Sequence, residues 1–233
     1  MSVLPWLPSG QLAFPPPEQA LRDPPGLLCA GGDLSPARLA LAYRLGIFPW
    51  YEEGSPILWW SPDPRTVLRP DTLHISRSLR RRLNRRDYQV TMDRAFDAVV
   101  AGCAAPRADT DDTWITPEMA FAYGRLHELG WAHSLEVWLD DELAGGIYGV
   151  AIGGCFFGES MFSHRSGGSK LAIVHLLGQM QAWNMPLLDC QLHNPHLASL
   201  GARPMRRAAF LAELKVLTAR SAPPSPWVLE YRW

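Results

Sequence analysis

Apolar positions fall into two spacings along this chain. At helical spacing they recur over 35–46, 76–86, 116–130, 169–183 and 206–217, which turns one face of each segment toward a core. Ser35-Pro36 and Thr116-Pro117 each supply a capping hydroxyl followed by proline at the first helical position. Gly46 and Gly130 stand where those two helices should stop. Ile75, Leu79 and Leu83 form the stripe of the second helix, and Met119, Ala122, Tyr123 and Leu126 that of the third. Alternating spacing marks strands over 133–139, 143–152 and 155–163, joined into a meander by turns at Asp140-Asp141 and Gly153-Gly154. LLDCQL, after Pro186, reads as a further strand. The fold class expected from this order is α/β in the mixed, α+β sense.

The first third of the chain is richer in Pro and Trp, and Pro62 and Pro64 mark the expected boundary. It divides a small N-terminal domain, 1–64, from a larger catalytic domain, 65–233. With 233 residues, 47% hydrophobic and 19% charged, the chain can bury a sizeable core. That composition excludes a disordered tail, a coiled coil and a collagen-like chain. Cys29, Cys103, Cys155 and Cys190 form no C-x-x-C pair, so neither zinc-ribbon nor thioredoxin spacing is present, and no disulfide framework is expected. The opening run MSVLPWLPSGQLAFPPPEQ lacks a basic segment and is broken by prolines, unlike a secretory signal. The glycine-rich uncharged stretch 143–158 falls short of the ~18 residues a membrane span needs. A cytoplasmic location without membrane contact is expected.

The formal net charge of −1 hides a segregation. Arg77, Arg80, Arg81, Arg82, Arg85 and Arg86 fall within ten residues that contain no acid, which leaves the remainder of the chain acidic. No carboxylate stands at i,i+4 to relieve the repulsion, so the helix reads as a patch for a polyanion. Its small size suits a compact RNA such as tRNA; a solvated helix face is the competing reading.

Glu159 lies in the strand FFGESMFS, with Phe157, Met161 and Ser163 expected on its side and Phe156, Ser160 and Phe162 on the other. A carboxylate among apolar neighbours needs a partner. Two readings stand here, a paired structural acid and a catalytic one. Asp189 and Gln191 are expected to share one strand face with Cys190 on the other, converging with Glu159 on a polar spot in an apolar groove. As groove residues, Asp189 and Gln191 should be removable with the fold nearly intact.

Other motifs carry less. His193 and His196 form H-x-x-H with no third ligand nearby, so no metal is expected. The chain has neither G-x-S-x-G nor a Walker loop. The loop from Arg165 to Lys170 resembles the pyrophosphate loop of acetyl-coenzyme A acetyltransferases, except that Lys170 replaces its last small residue. A coenzyme A-dependent acetyltransferase would need that loop, whereas a plain RNA-binding module would need only the arginine helix.

The blocks LCAGGDLSP, YRLGIFPWY, ILWWSPDPR, DTWITPEM, AHSLEVW, LAGGIYGVAIGG, FFGESMFS, SK, LLDCQ and HLASLGA resemble, in order, the leucyl/phenylalanyl-tRNA–protein transferases. The resemblance spans most of the chain. It implies a bacterial aminoacyltransferase that moves leucine or phenylalanine, with methionine as a third candidate, from aminoacyl-tRNA to proteins beginning with Arg or Lys. The product is an N-degron for ATP-dependent proteolysis. It also implies a small N-terminal domain and a C-terminal domain similar to the Gcn5-related N-acetyltransferases, with no cofactor. By motif, Asp189, Gln191 and Glu159 would be catalytic, Trp50 and Trp114 would contact the terminal adenosine, and Ile147, Phe156, Met161 and Leu188 would line the aminoacyl pocket. Gly168 stands where the family has alanine, and Leu176 and Met180 stand where phenylalanines are expected.

Overall fold

The computed structural model of the protein describes residues 4–106, 114–223 and 225–233. Asp112 and Thr113, the start of the DTWITPEM block, lie outside them. A four-stranded sheet joins β1 (Trp6–Leu7), β2 (Leu27–Gly31), β3 (Phe48–Pro49) and β4 (Leu58–Trp60) in the order β1-β2-β4-β3. A seven-stranded sheet holds β5 (Arg65–Leu68), β6 (Gln89–Met92), β7 (Ala132–Leu139), β8 (Glu142–Ile152), β9 (Cys155–Ser163), β10 (Leu187–Gln191) and β11 (Arg203–Met205). Its order is β11-β5-β10-β9-β8-β7-β6, antiparallel except where β10 lies beside β9.

The helices are α1 (Pro36–Arg44), α2 (Arg77–Arg85), α3 (Phe96–Ala104), α4 (Pro117–Glu128), α5 (Gly168–Ala182), α6 (Pro195–Ser199) and α7 (Arg207–Leu217). The caps act as the sequence implies: Thr116 Oγ1 accepts the Met119 N–H at 3.2 Å and Ser35 Oγ that of Arg38 at 3.4 Å. Ser76 caps α2 in the same way, its Oγ accepting the Leu79 N–H at 3.3 Å. All four stripe residues of α4 are buried. Ala95, the residue that precedes α3, has no side chain to cap it; Glu136 reaches across from β7 to accept the Ala95 N–H.

Helices cover both faces of the large sheet, so β7 is buried from Ala132 through Val137 on both sides. Its alternation separates two cores rather than core from solvent. One core gathers Tyr43, Trp59, Phe96, Tyr123, Tyr148, Phe157 and Phe210, and runs unbroken from the small sheet to the large one. The other gathers Leu79 and Leu83 of α2, Ile147, Phe156 and the apolar residues of α5, Leu176 and Met180 included. At the start of α5, a Cβ on Gly168 would sit 2.5 Å from the Ala144 carbonyl oxygen, so the helix docks on β8 only as glycine.

Two bulges correct the expected strand faces. Between β8 and β9 the pairing passes from Gly149↔Gly158 to Tyr148↔Ser160, leaving Glu159 as the extra residue. The alternation inverts there. Phe157 belongs to the first core and Met161 packs on the second, so the two do not share a face; Phe156 and Phe162 are likewise split. Opposite the bulge, a Cβ on Gly149 would lie 2.1 Å from the Phe157 carbonyl oxygen, which only glycine permits. On β10 the register passes from Asp189↔Val67 to Gln191↔Thr66, and Gln191 takes a left-handed φ of 60°. Asp189 and Gln191 therefore do not share a face: Cys190 and Gln191 both line the cleft described next, while Asp189 points into the interior.

Candidate active site

A cleft of about 850 Å³ opens where the bulged ends of β9 and β10 face the small sheet. Trp50 and Trp114 both line it; Trp50 is 42% exposed, and the Trp60 indole N–H holds its carbonyl at 2.7 Å. Ile147, Met161 and Leu188 supply apolar lining, while Phe156 sits behind them in the core, 1% exposed. Ser169, His193 and His196 line the remaining side, with Ser169 Oγ 3.4 Å from His196 Nε2. Burial and the nearby Lys170 hold His196 below the usual imidazole range. Among the described residues, no group of three or more His, Cys, Asp or Glu is placed to hold a metal ion.

Glu159 and Gln191 meet at the floor. Gln191 Nε2 donates to Glu159 Oε1 at 2.9 Å, and the Tyr123 hydroxyl donates to Glu159 Oε2 at 2.8 Å. Burial pushes the Glu159 carboxyl up to about 7, against the lowering pull of the tyrosine hydroxyls. Because Nε2 is spent on the carboxylate, the Gln191 side-chain carbonyl is left to accept from whatever occupies the cleft.

Asp189 works from behind. It is fully buried, takes both Nε and Nη2 of Arg65 at 2.8 and 2.7 Å, and accepts the Gln191 backbone N–H at 2.9 Å. Arg65 is 1% exposed, donates to the Gly46 carbonyl, and is sandwiched between the Phe48 and Phe210 rings at 4.8 and 4.9 Å. The expectation that Asp189 can be removed with the fold intact is therefore wrong. Its loss would strand a buried guanidinium, which costs about 3–5 kcal/mol. Sequence reading missed Arg65, Tyr43 and Tyr123 as site residues. The tyrosines lie on the apolar faces of α1 and α4, where only burial was legible.

The arginine helix does not line this cleft. Arg77, Arg80, Arg81, Arg85 and Arg86 are exposed, whereas Arg82 is half-buried and pairs with Asp87, an acid just past the helix that the charge count left out. Arg80 lies 5.8 Å over the Trp233 ring, and Arg86 donates to the Trp233 carbonyl at 3.2 Å.

Two family models match this chain. The model described as leucyl/phenylalanyl-tRNA protein transferase matches residues 67–215, and that of its N-terminal domain matches 32–63. The chain belongs to the leucyl/phenylalanyl-tRNA–protein transferase family. A member from Stutzerimonas stutzeri is 58% identical over 91% of this chain and 94% of its own. Those from Chromohalobacter salexigens and Chromobacterium violaceum are 56% and 54% identical, over 97% and 99% of this chain and 88% and 98% of theirs. As a transferase of this family the chain is an aminoacyltransferase. Among solved structures, a GCN5-related N-acetyltransferase from Kribbella flavida is 13% identical with a TM-score of 0.37, covering 73% of this chain and 61% of that one. L-PGS from Bacillus licheniformis is 12% identical with a TM-score of 0.42, covering 72% and 53%. No described helix of this transferase is long and apolar enough to cross a membrane.

Proposed function

We propose that this transferase moves leucine or phenylalanine, and methionine by the same fit, from aminoacyl-tRNA to the α-amine of proteins beginning with Arg or Lys. The product would be an N-degron, made in the cytoplasm. The amine nitrogen attacks the ester carbonyl carbon, the carbon–oxygen bond to the terminal ribose breaks, and the ribose hydroxyl leaves with a proton. A peptide bond and deacylated tRNA result. An α-amine has a pKa of about 7.7–8.0, so freeing it at pH 7 costs only about 1–1.4 kcal/mol. Holding donor and acceptor in attack geometry can supply several times that.

The supporting observation is the contact of Gln191 with Glu159 above the Arg65–Asp189 pair. In this reading the Gln191 carbonyl accepts a hydrogen bond from the attacking amine and points its lone pair at the ester. Asp189 acts at one remove, through the Gln191 backbone, and Glu159 faces the cationic first residue of the acceptor. Ile147, Met161 and Leu188, backed by Phe156, receive the aminoacyl side chain. Trp50 and Trp114 receive the terminal adenosine, and Arg77, Arg80, Arg81, Arg82, Arg85 and Arg86 receive the tRNA backbone. The division into 1–64 and 65–233 belongs to the same reading: four residues separate the end of the small sheet at Trp60 from the start of β5 at Arg65.

The test is incubation with leucyl-tRNA and a peptide beginning with Arg, following leucine on the peptide by mass spectrometry. Leucine transfer is expected, and an Ala-initiated peptide should be a poor acceptor. Acetylation of the peptide from acetyl-coenzyme A, with no leucine transfer, would replace this reading by an acetyltransferase.

A further inference from the structure

Beneath the cleft, two hydroxyls form a chain that the reaction scheme does not use. Tyr123 donates to Glu159, and a hydroxyl has one proton to give, so its bond with Tyr43 must run from Tyr43 to Tyr123. Both rings are fully buried, on α4 and α1. The polarity of the chain is thus set from the carboxylate end, and both hydroxyls point toward Glu159. Gln191 approaches the other carboxylate oxygen.

We propose that Tyr43 and Tyr123 are positioning residues: a buried hydroxyl chain that holds Glu159 as an oriented carboxylate, and through it holds the Gln191 carbonyl toward the acceptor amine. The inference rests on the transferase reading of the cleft. A carboxylate only accepts, so it fixes Gln191 with Nε2 inward and the carbonyl outward. A protonated Glu159 would offer its O–H to the same amide, and the amide could turn over and present its NH₂ group to the amine instead. The hydroxyl chain biases this choice.

The other groups around Glu159 do not replace the chain. Tyr148 on β8 is fully buried, its hydroxyl has no hydrogen-bond partner among the described residues, and its ring stands 5.6 Å from that of Tyr123. Asp189 on β10 opposes the charge on Glu159, and Arg65 on β5 favours it, but these two are paired with each other. Among the described residues, Tyr123 of α4 donates to the carboxylate from below, and Tyr43 of α1 donates in turn to Tyr123.

The test uses the intact protein with ¹³C-labelled Glu carboxyls, the Glu159 signal being assigned by its loss in Glu159→Gln. Tyr123→Phe should move the Glu159 titration midpoint upward by about one pH unit, the worth of a hydrogen bond to a charged group. Tyr43→Phe should move it less in the same direction, and Tyr148→Phe should leave it unmoved. In transfer from leucyl-tRNA, Tyr123→Phe should lower kcat severalfold at pH 7 and recover by pH 9, with KM for the donor unchanged. A merely structural role predicts a loss that pH does not restore. An unmoved midpoint in both Tyr123→Phe and Tyr43→Phe overturns the proposal, as does an equal shift in Tyr148→Phe. Shifted midpoints in a protein that transfers no leucine would preserve the coupling and sink the transferase reading instead. If Tyr123→Phe does not fold, Tyr43→Phe against Tyr148→Phe decides alone.

Discussion

Arg65 and Asp189, 124 residues apart in the chain, meet through two parallel hydrogen bonds of 2.8 and 2.7 Å in the sealed space behind the cleft. Their pairing joins the first strand after the small sheet to the strand that carries Gln191. It also leaves Asp189 with a free acceptor position for the Gln191 backbone N–H, which helps a non-glycine residue hold a left-handed turn.

Asp189→Ala should destabilise the fold by about 3–5 kcal/mol, because Arg65 keeps its charge without a partner. Urea unfolding measures this directly. The double change Arg65→Met with Asp189→Leu should recover most of the loss of stability while activity stays low, since the Gln191 turn has lost its acceptor.

Glu159 makes stability depend on pH in a stated direction. Its carboxyl sits at about 7 in the folded chain against 4.5 unfolded, so the folded state binds the extra proton between those values. Stability attributable to this group therefore falls as pH rises from 4.5 to 7 and is level outside that window. Glu159→Gln should flatten that decline: the Tm difference between variant and wild type should be larger at pH 8 than at pH 4.5. An equal difference at both would mean Glu159 is not held protonated on folding.

The apolar lining of Ile147, Met161 and Leu188 predicts selectivity by shape. Unbranched and γ-branched side chains should fit, with Met161 adjusting, and β-branched ones should fit poorly. Shape alone is worth about 1–3 kcal/mol per methylene, or roughly 10–200-fold. Isoleucyl-tRNA and valyl-tRNA should therefore be slower donors than leucyl-tRNA by about that factor in kcat/KM. Equal use of isoleucyl-tRNA would displace the aminoacyl group from this lining.

Replacing Arg77, Arg81 and Arg85 with Ala tests the arginine helix without disturbing its tertiary contacts. Arg80, Arg82 and Arg86 are left in place because they touch Trp233, Asp87 and Trp233 respectively. Each lost phosphate contact should raise KM for aminoacyl-tRNA and flatten the slope of log affinity against log salt. An aminoacylated adenosine lacking the tRNA body should be used as before. A solvated face would instead give small, equal effects on both donors.

Local signals carried the secondary structure where they were self-contained. Thr116-Pro117 and the period of Met119, Ala122, Tyr123 and Leu126 give α4, and Gly153-Gly154 gives the β8–β9 turn. α3 was not legible because its start is completed by Glu136 from another strand. β5 is four residues long and makes sense only between β10 and β11. The convergence of Glu159 and Gln191 was foreseen, but by the wrong geometry. Strict alternation cannot anticipate a bulge, and at Gln191 nothing in the residue type announces a positive φ. Arg65, Tyr43 and Tyr123 were invisible as site residues because their partners are fixed by tertiary contacts.

In the proposed reaction Gln191 positions the acceptor amine for aminoacyl transfer. Single-turnover leucine transfer from leucyl-tRNA to an Arg-initiated peptide, compared between wild type and Gln191→Ala, tests it most directly. Rapid transfer by wild type is expected, and a rate about 100-fold lower in the variant, with donor binding unchanged and cooperative unfolding retained. Transfer by Gln191→Ala at the wild-type rate would contradict it.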